Sequence, residues 1–101
     1  MAHRSSGAVT KNDREKVEIV VSSIESNAID ITSSYEDWVK VAGALHNAFG
    51  EEGRFLFHRI SKFHADYKVK KTDSKFDGCR NMNKVSLSTF FYVASSYGIR
   101  Y

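Results

Sequence analysis

The sequence predicts an all-α fold, a compact bundle of about five short amphipathic helices. Three observations carry this expectation. Apolar residues recur at steps of three and four along five separate stretches, the period of a helix that buries one face. Cap-forming Asn, Ser and Thr residues and stop-forming glycines stand at the ends of those stretches. The 101 residues contain no proline, so nothing obliges a helix to break internally.

Val17, Val20, Val21, Ile24 and Ala28 form one apolar stripe on a first helix from Lys11 to Ala28. Asn12, followed three residues later by Glu15, has the form of a capping box that would start it. Ile29 to Thr32 reads as a short extended connector. Ser34 precedes Asp37 by three, and Trp38, Val41, Ala42, Leu45 and Phe49 mark a second helix that stops at Gly50. Gly50-Glu51-Glu52-Gly53 opens a third helix, with carboxylates at the positive end of its dipole. Its narrow core face is Leu56, Ile60 and Phe63; His58, Ser61 and Lys62 point the other way, with Phe55 and Arg59 on a flank. Ala65 to Lys71 reads as a loop and Thr72 as a cap. Phe76, Cys79 and Met82 then mark a short fourth helix ending near Asn83. Val85-Ser86 leads into a fifth, lined by Leu87, Phe90, Ala94 and Tyr97 and closed by Gly98. Val85 to Val93 is rich in residues that favour strands, but the spacing and the terminal glycine favour a helix.

The length suits one domain, here residues 11–101, with residues 1–10 a disordered lead-in or expression remnant. An apolar fraction of 42% and an aromatic fraction of 13% supply a core. No apolar run is long enough to span a bilayer and no secretory h-region stands near Met1, so no membrane is expected as a partner. A single cysteine, Cys79, allows no internal disulfide. The expectation is a cytoplasmic domain that is a monomer in isolation. Cys79 lies on the apolar side of its helix beside Phe76 and Met82, the setting of a buried structural thiol.

Catalytic and cofactor constellations are missing. Gly50-Glu51-Glu52-Gly53-Arg54 lacks the lysine and hydroxyl of a phosphate-binding loop and puts carboxylates where phosphate would sit. His46, His58, His64 and Cys79 show no paired zinc spacing. Asp73 and Asp77 are one helical turn apart, but they read as surface residues paired with Lys70, Lys75 and Arg80 rather than as metal ligands. No catalytic residue, metal or cofactor is expected.

Charge is the informative signal. Between Arg54 and Lys84 nine Lys or Arg stand against three Asp, a local net charge of +6, whereas residues 1–53 carry five basic and nine acidic side chains. A concentrated positive field attracts a polyanion. The interleaved rings Phe63, Phe76 and Tyr67 stand at core spacing, which leaves the cations as the functional part. Arg54, His58, Arg59, Lys62, Lys68, Lys70, Lys71 and Lys75 are the candidate contacts to single-stranded or duplex DNA. Reversing the charges of Arg59 and Lys62 together is expected to weaken binding without unfolding. The alternative is a spacer whose positive face docks an acidic neighbouring domain, with Tyr92, Val39 and Phe55 forming a contiguous apolar patch.

Trp38, Gly43-Ala44-Leu45, Gly53, Ile60-Ser61, Tyr67, Phe76, Val85-Ser86, Thr89, Ala94 and Gly98 together resemble the second type of primase C-terminal domain, over about residues 34–99. Ile60 and Phe76 stand where that family usually has tryptophans. Phe49-Gly50-Glu51-Glu52-Gly53-Arg54 with Phe57-His58-Arg59-Ile60-Ser61 resembles the branch found in bacterial conjugative elements beside a virulence-associated E type helicase-like region. The resemblance implies a helical, non-catalytic accessory module of a DNA replication protein of mobile elements, with neighbouring primase or helicase domains as partners.

Overall fold

The computed structural model describes residues 10–79 and 85–101. The lead-in up to residue 9, Arg80, and the expected run of the fourth helix through Met82 to Asn83 lie outside them. Five helices are present: α1 Lys11–Asn27, α2 Tyr35–Phe49, α3 Glu52–Ser61, α4 Val69–Gly78 and α5 Leu87–Ser96. There is no β-strand among the described residues, so the all-α expectation holds, including for the strand-prone segment that forms α5.

α2 is the central helix. It packs on α3, α4 and α5, while α1 lies across α3 and α5. Ser34 caps α2, its side chain accepting a hydrogen bond from the Asp37 N–H, and the helix ends at Gly50 with φ 60° and ψ −135°. A side chain in that conformation would be strained, so glycine is what lets the chain reverse directly into α3. Thr10, rather than Asn12, caps α1 in a reciprocal box with Asp13. Ala28 is not part of the α1 stripe: it is exposed and takes a left-handed conformation, φ 50°, that closes the helix.

The core is built from Val17, Val20, Val21 and Ile24 of α1, Val41 to Leu45 and Phe49 of α2, Phe57 and Ile60 of α3, Phe76 of α4, and Phe90, Val93 and Ala94 of α5. Cys79 is buried and free, and burial raises its thiol pKa, as expected of an inert structural thiol. α3 turns a different residue inward than its sequence suggests. Phe57 is fully buried, Leu56 and Phe63 only pack against the edge of the core, and Ser61 is buried rather than solvent-facing. The reason is that α3 is covered by α1, α2 and α4, so its buried surface is wider than one stripe.

α4 also starts earlier than expected. Its helix begins at Val69, and Thr72 is a buried interior residue instead of a cap. Lys68 to Lys71 thus form the entrance of a helix, which sets the geometry of the basic segment.

Candidate functional site

Lys68 stands at the N-cap of α4 in extended conformation with no side-chain cap hydrogen bond, and the first turn contains no acidic residue. Instead it carries Lys70 and Lys71. The positive end of a helix dipole disfavours a nearby cation by about 0.3–1 kcal/mol each, so this turn concentrates positive charge where local physics opposes it. Lys68, Lys70 and Lys71 make no ion pair with any described residue.

These lysines, with Lys75 one turn further on, line a cleft of about 610 Å³ between the start of α2, the α3–α4 connection and α4. Three rings, Tyr35, Trp38 and Tyr67, share it. Trp38 is fixed from behind: its indole N–H donates to Ser61 Oγ at 3.1 Å, and its ring stacks on Phe57 at 5.9 Å between centroids. Phe57 in turn packs on Phe76 at 5.9 Å. Tyr35 meets the Trp38 ring edge-on at 6.2 Å and is 66% exposed. The Lys75 ammonium lies 4.6 Å from the Tyr35 ring centroid and donates to its hydroxyl. Asp66 is the one acidic residue of the lining, and His64 on the same rim is held by Asp30, with Nδ1 3.0 Å from Oδ2. Burial opposes ionisation of Asp30, but hydrogen bonds from the Thr32 hydroxyl and N–H and from His64 outweigh it and lower its pKa.

The other four candidates are tied into the fold. The Arg54 guanidinium bonds Glu51, Asp73 and Asp77, and those bonds raise its own pKa while lowering that of Glu51. Arg54 and His58 are thus the described partners of the Asp73 and Asp77 pair, rather than the lysines of the same helix. His58 donates from Nε2 to Asp73 Oδ1 at 2.7 Å and shares a hydrogen bond of 2.7 Å with the Tyr67 hydroxyl. These bonds, His58 first and Arg54 second, lower the Asp73 pKa. Arg59 reaches across to α1, bonding Glu18 at 2.8 Å and Glu25 at 2.8 Å, and Lys62 meets Glu25 at 3.4 Å.

Arg59 is therefore a clasp between α1 and α3. Its side chain is half-buried, and a carboxylate in its place would face Glu18 and Glu25 across the helix interface. Reversing Arg59 and Lys62 would disturb folding as well as any surface interaction, contrary to the expectation from sequence. The clasp also has a pH signature. Hydrogen bonding from Arg59, reinforced by Lys62, lowers the Glu25 pKa from 4.5 to about 2, and Arg59 likewise lowers that of Glu18. A depressed folded-state pKa stabilises the fold above the unfolded value and loses that contribution as pH falls through the folded one. Urea midpoints should therefore fall between pH 4.5 and about 2, and Glu25→Gln should flatten part of that slope while lowering stability at neutral pH.

Periodicity missed two members of the cleft. Tyr35 lies one turn before Trp38 at the mouth of α2, and Tyr67, assigned to the core, lies half-buried on the rim. The available signal was the Ser34 cap, which makes Tyr35 the first residue of a helix and thus a ring at an end rather than on a buried stripe. Of the residues expected to form an apolar patch, Val39 packs against the core, while Phe55 and Tyr92 are exposed on α3 and α5, helices that do not touch.

Among the described residues no cluster of three His, Cys, Asp or Glu could hold a metal ion, and no helix is long and apolar enough to cross a membrane. Fold and cleft together define a small all-α module whose surface chemistry is that of lysines and aromatic rings. The family model of Primase C terminal 2 (PriCT-2) matches residues 22–94, and the chain belongs to that family. It is a primase-associated accessory domain. The match begins inside α1, upstream of the motif residues, covers α2, α3 and α4 and ends inside α5. Neither the curated proteins nor the solved structures give a match.

Proposed function

We propose that this domain helps a replication protein hold DNA, and that Lys68, Lys70, Lys71 and Lys75 make the contact. The observation that carries the reading is their convergence on one cleft: Lys68, Lys70 and Lys71 stand at the N-terminal turn of α4, where the helix dipole disfavours cations, Lys75 stands in its last turn, and no described carboxylate pairs with any of the four. A phosphodiester strand relieves both conditions, since it brings negative charge to the positive helix end and releases condensed counterions. Arg54, His58, Arg59 and Lys62 are instead engaged by carboxylates and hold α1, α3 and α4 together. The domain acts without catalysis of its own, within a primase or helicase of a conjugative or other mobile element.

Charge reversal at Lys70 and Lys71 separates binding from folding. Both side chains are exposed, and acidic residues suit the first turn of a helix. Lys70→Glu with Lys71→Glu should leave thermal stability unchanged or slightly raised. Affinity for a single strand should drop at least tenfold at low salt, and the slope of log K against log salt should shallow by about 1.4, the value for two lost phosphate contacts. Titrations of wild type that stay flat with single-stranded and duplex DNA at low salt would refute DNA contact. They would assign the lysine face to an acidic surface of an adjoining domain.

A further inference from the structure

We propose that the cleft is a single-strand site in which one unstacked base lies against Tyr35 and Trp38 while its flanking phosphates meet Lys70, Lys71 and Lys75. This rests on the DNA reading and adds to it the form of the nucleic acid and the residues that recognise it.

Lysines alone would serve any polyanion. The rings narrow the choice, because a base can stack only when its face is not already covered by its neighbours, and duplex bases offer no free face. Tyr35 is among the more exposed large side chains of the domain, 66% accessible, yet it stands at the mouth of a cavity rather than on an open helix face. Behind it, Trp38 is locked by its bond to Ser61 and its stack on Phe57, so the platform is already ordered before a ligand arrives and loses little freedom on binding. Lys75 completes the arrangement. Its ammonium rests against the Tyr35 and Trp38 rings, 4.6 and 5.7 Å from their centroids. On a long flexible stem, it can move to a phosphate as a base takes its place on the ring. The cavity of about 610 Å³ falls within the roughly 300–1,000 Å³ of sites that enclose small organic ligands, room for one base and its sugar and too little for a double helix.

Trp38 is the only tryptophan of the chain, so its fluorescence reports on the cleft directly. Wild type, Tyr35→Ala and Tyr35→Phe would be titrated with an oligothymidylate of roughly twelve nucleotides, within the usual footprint of single-strand binders. The same titration would be run with its duplex, with an abasic strand of equal length and with ATP. The expected result is saturable quenching by oligothymidylate, binding at least tenfold weaker for the duplex, the abasic strand and ATP, and about tenfold lost affinity in Tyr35→Ala with an unchanged salt slope. Tyr35→Phe, which keeps the ring, should stay within about twofold of wild type. Because Tyr35 is exposed, circular dichroism should show both variants folded. Equal affinity for the abasic strand, or for the duplex, or an unaffected Tyr35→Ala, would overturn base stacking while loss of binding in the Lys70/Lys71 variant would still uphold DNA contact. ATP binding as tight as the strand would make the site one for free nucleotides and overturn the strand assignment. No binding of any form would remove both readings.

Discussion

Phe57→Ala should lower the stability of the domain by about 3–5 kcal/mol, the usual loss when a buried phenylalanine is truncated and the cavity collapses only partly. Phe57 is fully buried and lies between Trp38 and Phe76. It joins α3 to both α2 and α4, so little around it can close the gap. Domains of this size are stable by only about 5–15 kcal/mol, and the variant should be marginal at 37 °C. Chemical denaturation with Phe57→Leu as a milder companion tests this; the leucine variant should lose less than half as much. The same substitution removes the backing of Trp38, so Phe57→Ala should also alter the tryptophan emission of the folded state.

Gly53→Ala should also be damaging, by about 1–2 kcal/mol net, although alanine is the better helix former. A Cβ on Gly53 would lie 2.5 Å from the Leu45 carbonyl oxygen and 2.9 Å from its carbon. Those are backbone atoms of the central helix, so relief requires α2 and α3 to move apart. Overpacking of this kind costs about 1–3 kcal/mol or more, against a helix-propensity gain of at most about 1 kcal/mol. Gly78→Ala is the control: a Cβ there meets no described residue within 4 Å, and it should be neutral or slightly stabilising. A melting temperature lowered by about 10 °C in the first variant and unchanged in the second would match the expected loss for a domain of this length. Equal melting temperatures would mean that the α2–α3 approach is looser than described.

How far the fold was legible in the chain depended on whether local signals agreed. α2 could be read almost to the residue, because the Ser34 cap, the Trp38 to Phe49 stripe and the Gly50 stop all point to the same helix. α3 could be located but not phased: three neighbours cover it, and a single stripe does not describe a helix buried on several sides. The entrance of α4 was illegible for a physical reason. It has no side-chain cap and carries lysines where a helix prefers acids, so local preference favours a loop and tertiary packing of Thr72 and Phe76 decides otherwise. Such conflicts between local rule and global fold tend to mark functional positions.

The basic segment was visible as a sum but not as a surface. Arg59 meets Glu18 and Glu25 from residues 41 and 34 positions away, and no local count of charge shows that pairing. The described part of the basic segment therefore divides into two roles. Arg54, Arg59 and Lys62 tie helices together through carboxylates, and His58 bridges Tyr67 and Asp73. Lys68, Lys70, Lys71 and Lys75 face a cleft whose rings come from α2 and the α3–α4 connection. Tyr35 and Trp38 lie outside the basic segment altogether, which is why a strip of sequence could not define the site.

The most direct test of the account is an amide chemical-shift map of the isotopically labelled domain titrated with a short single strand at low salt. The largest changes should fall on Tyr35, the Trp38 indole N–H and residues 67–75, with the α1 face of Glu18 and Glu25 unmoved. Changes centred on the Arg59 clasp and Phe55, or no changes at saturating strand, would contradict it.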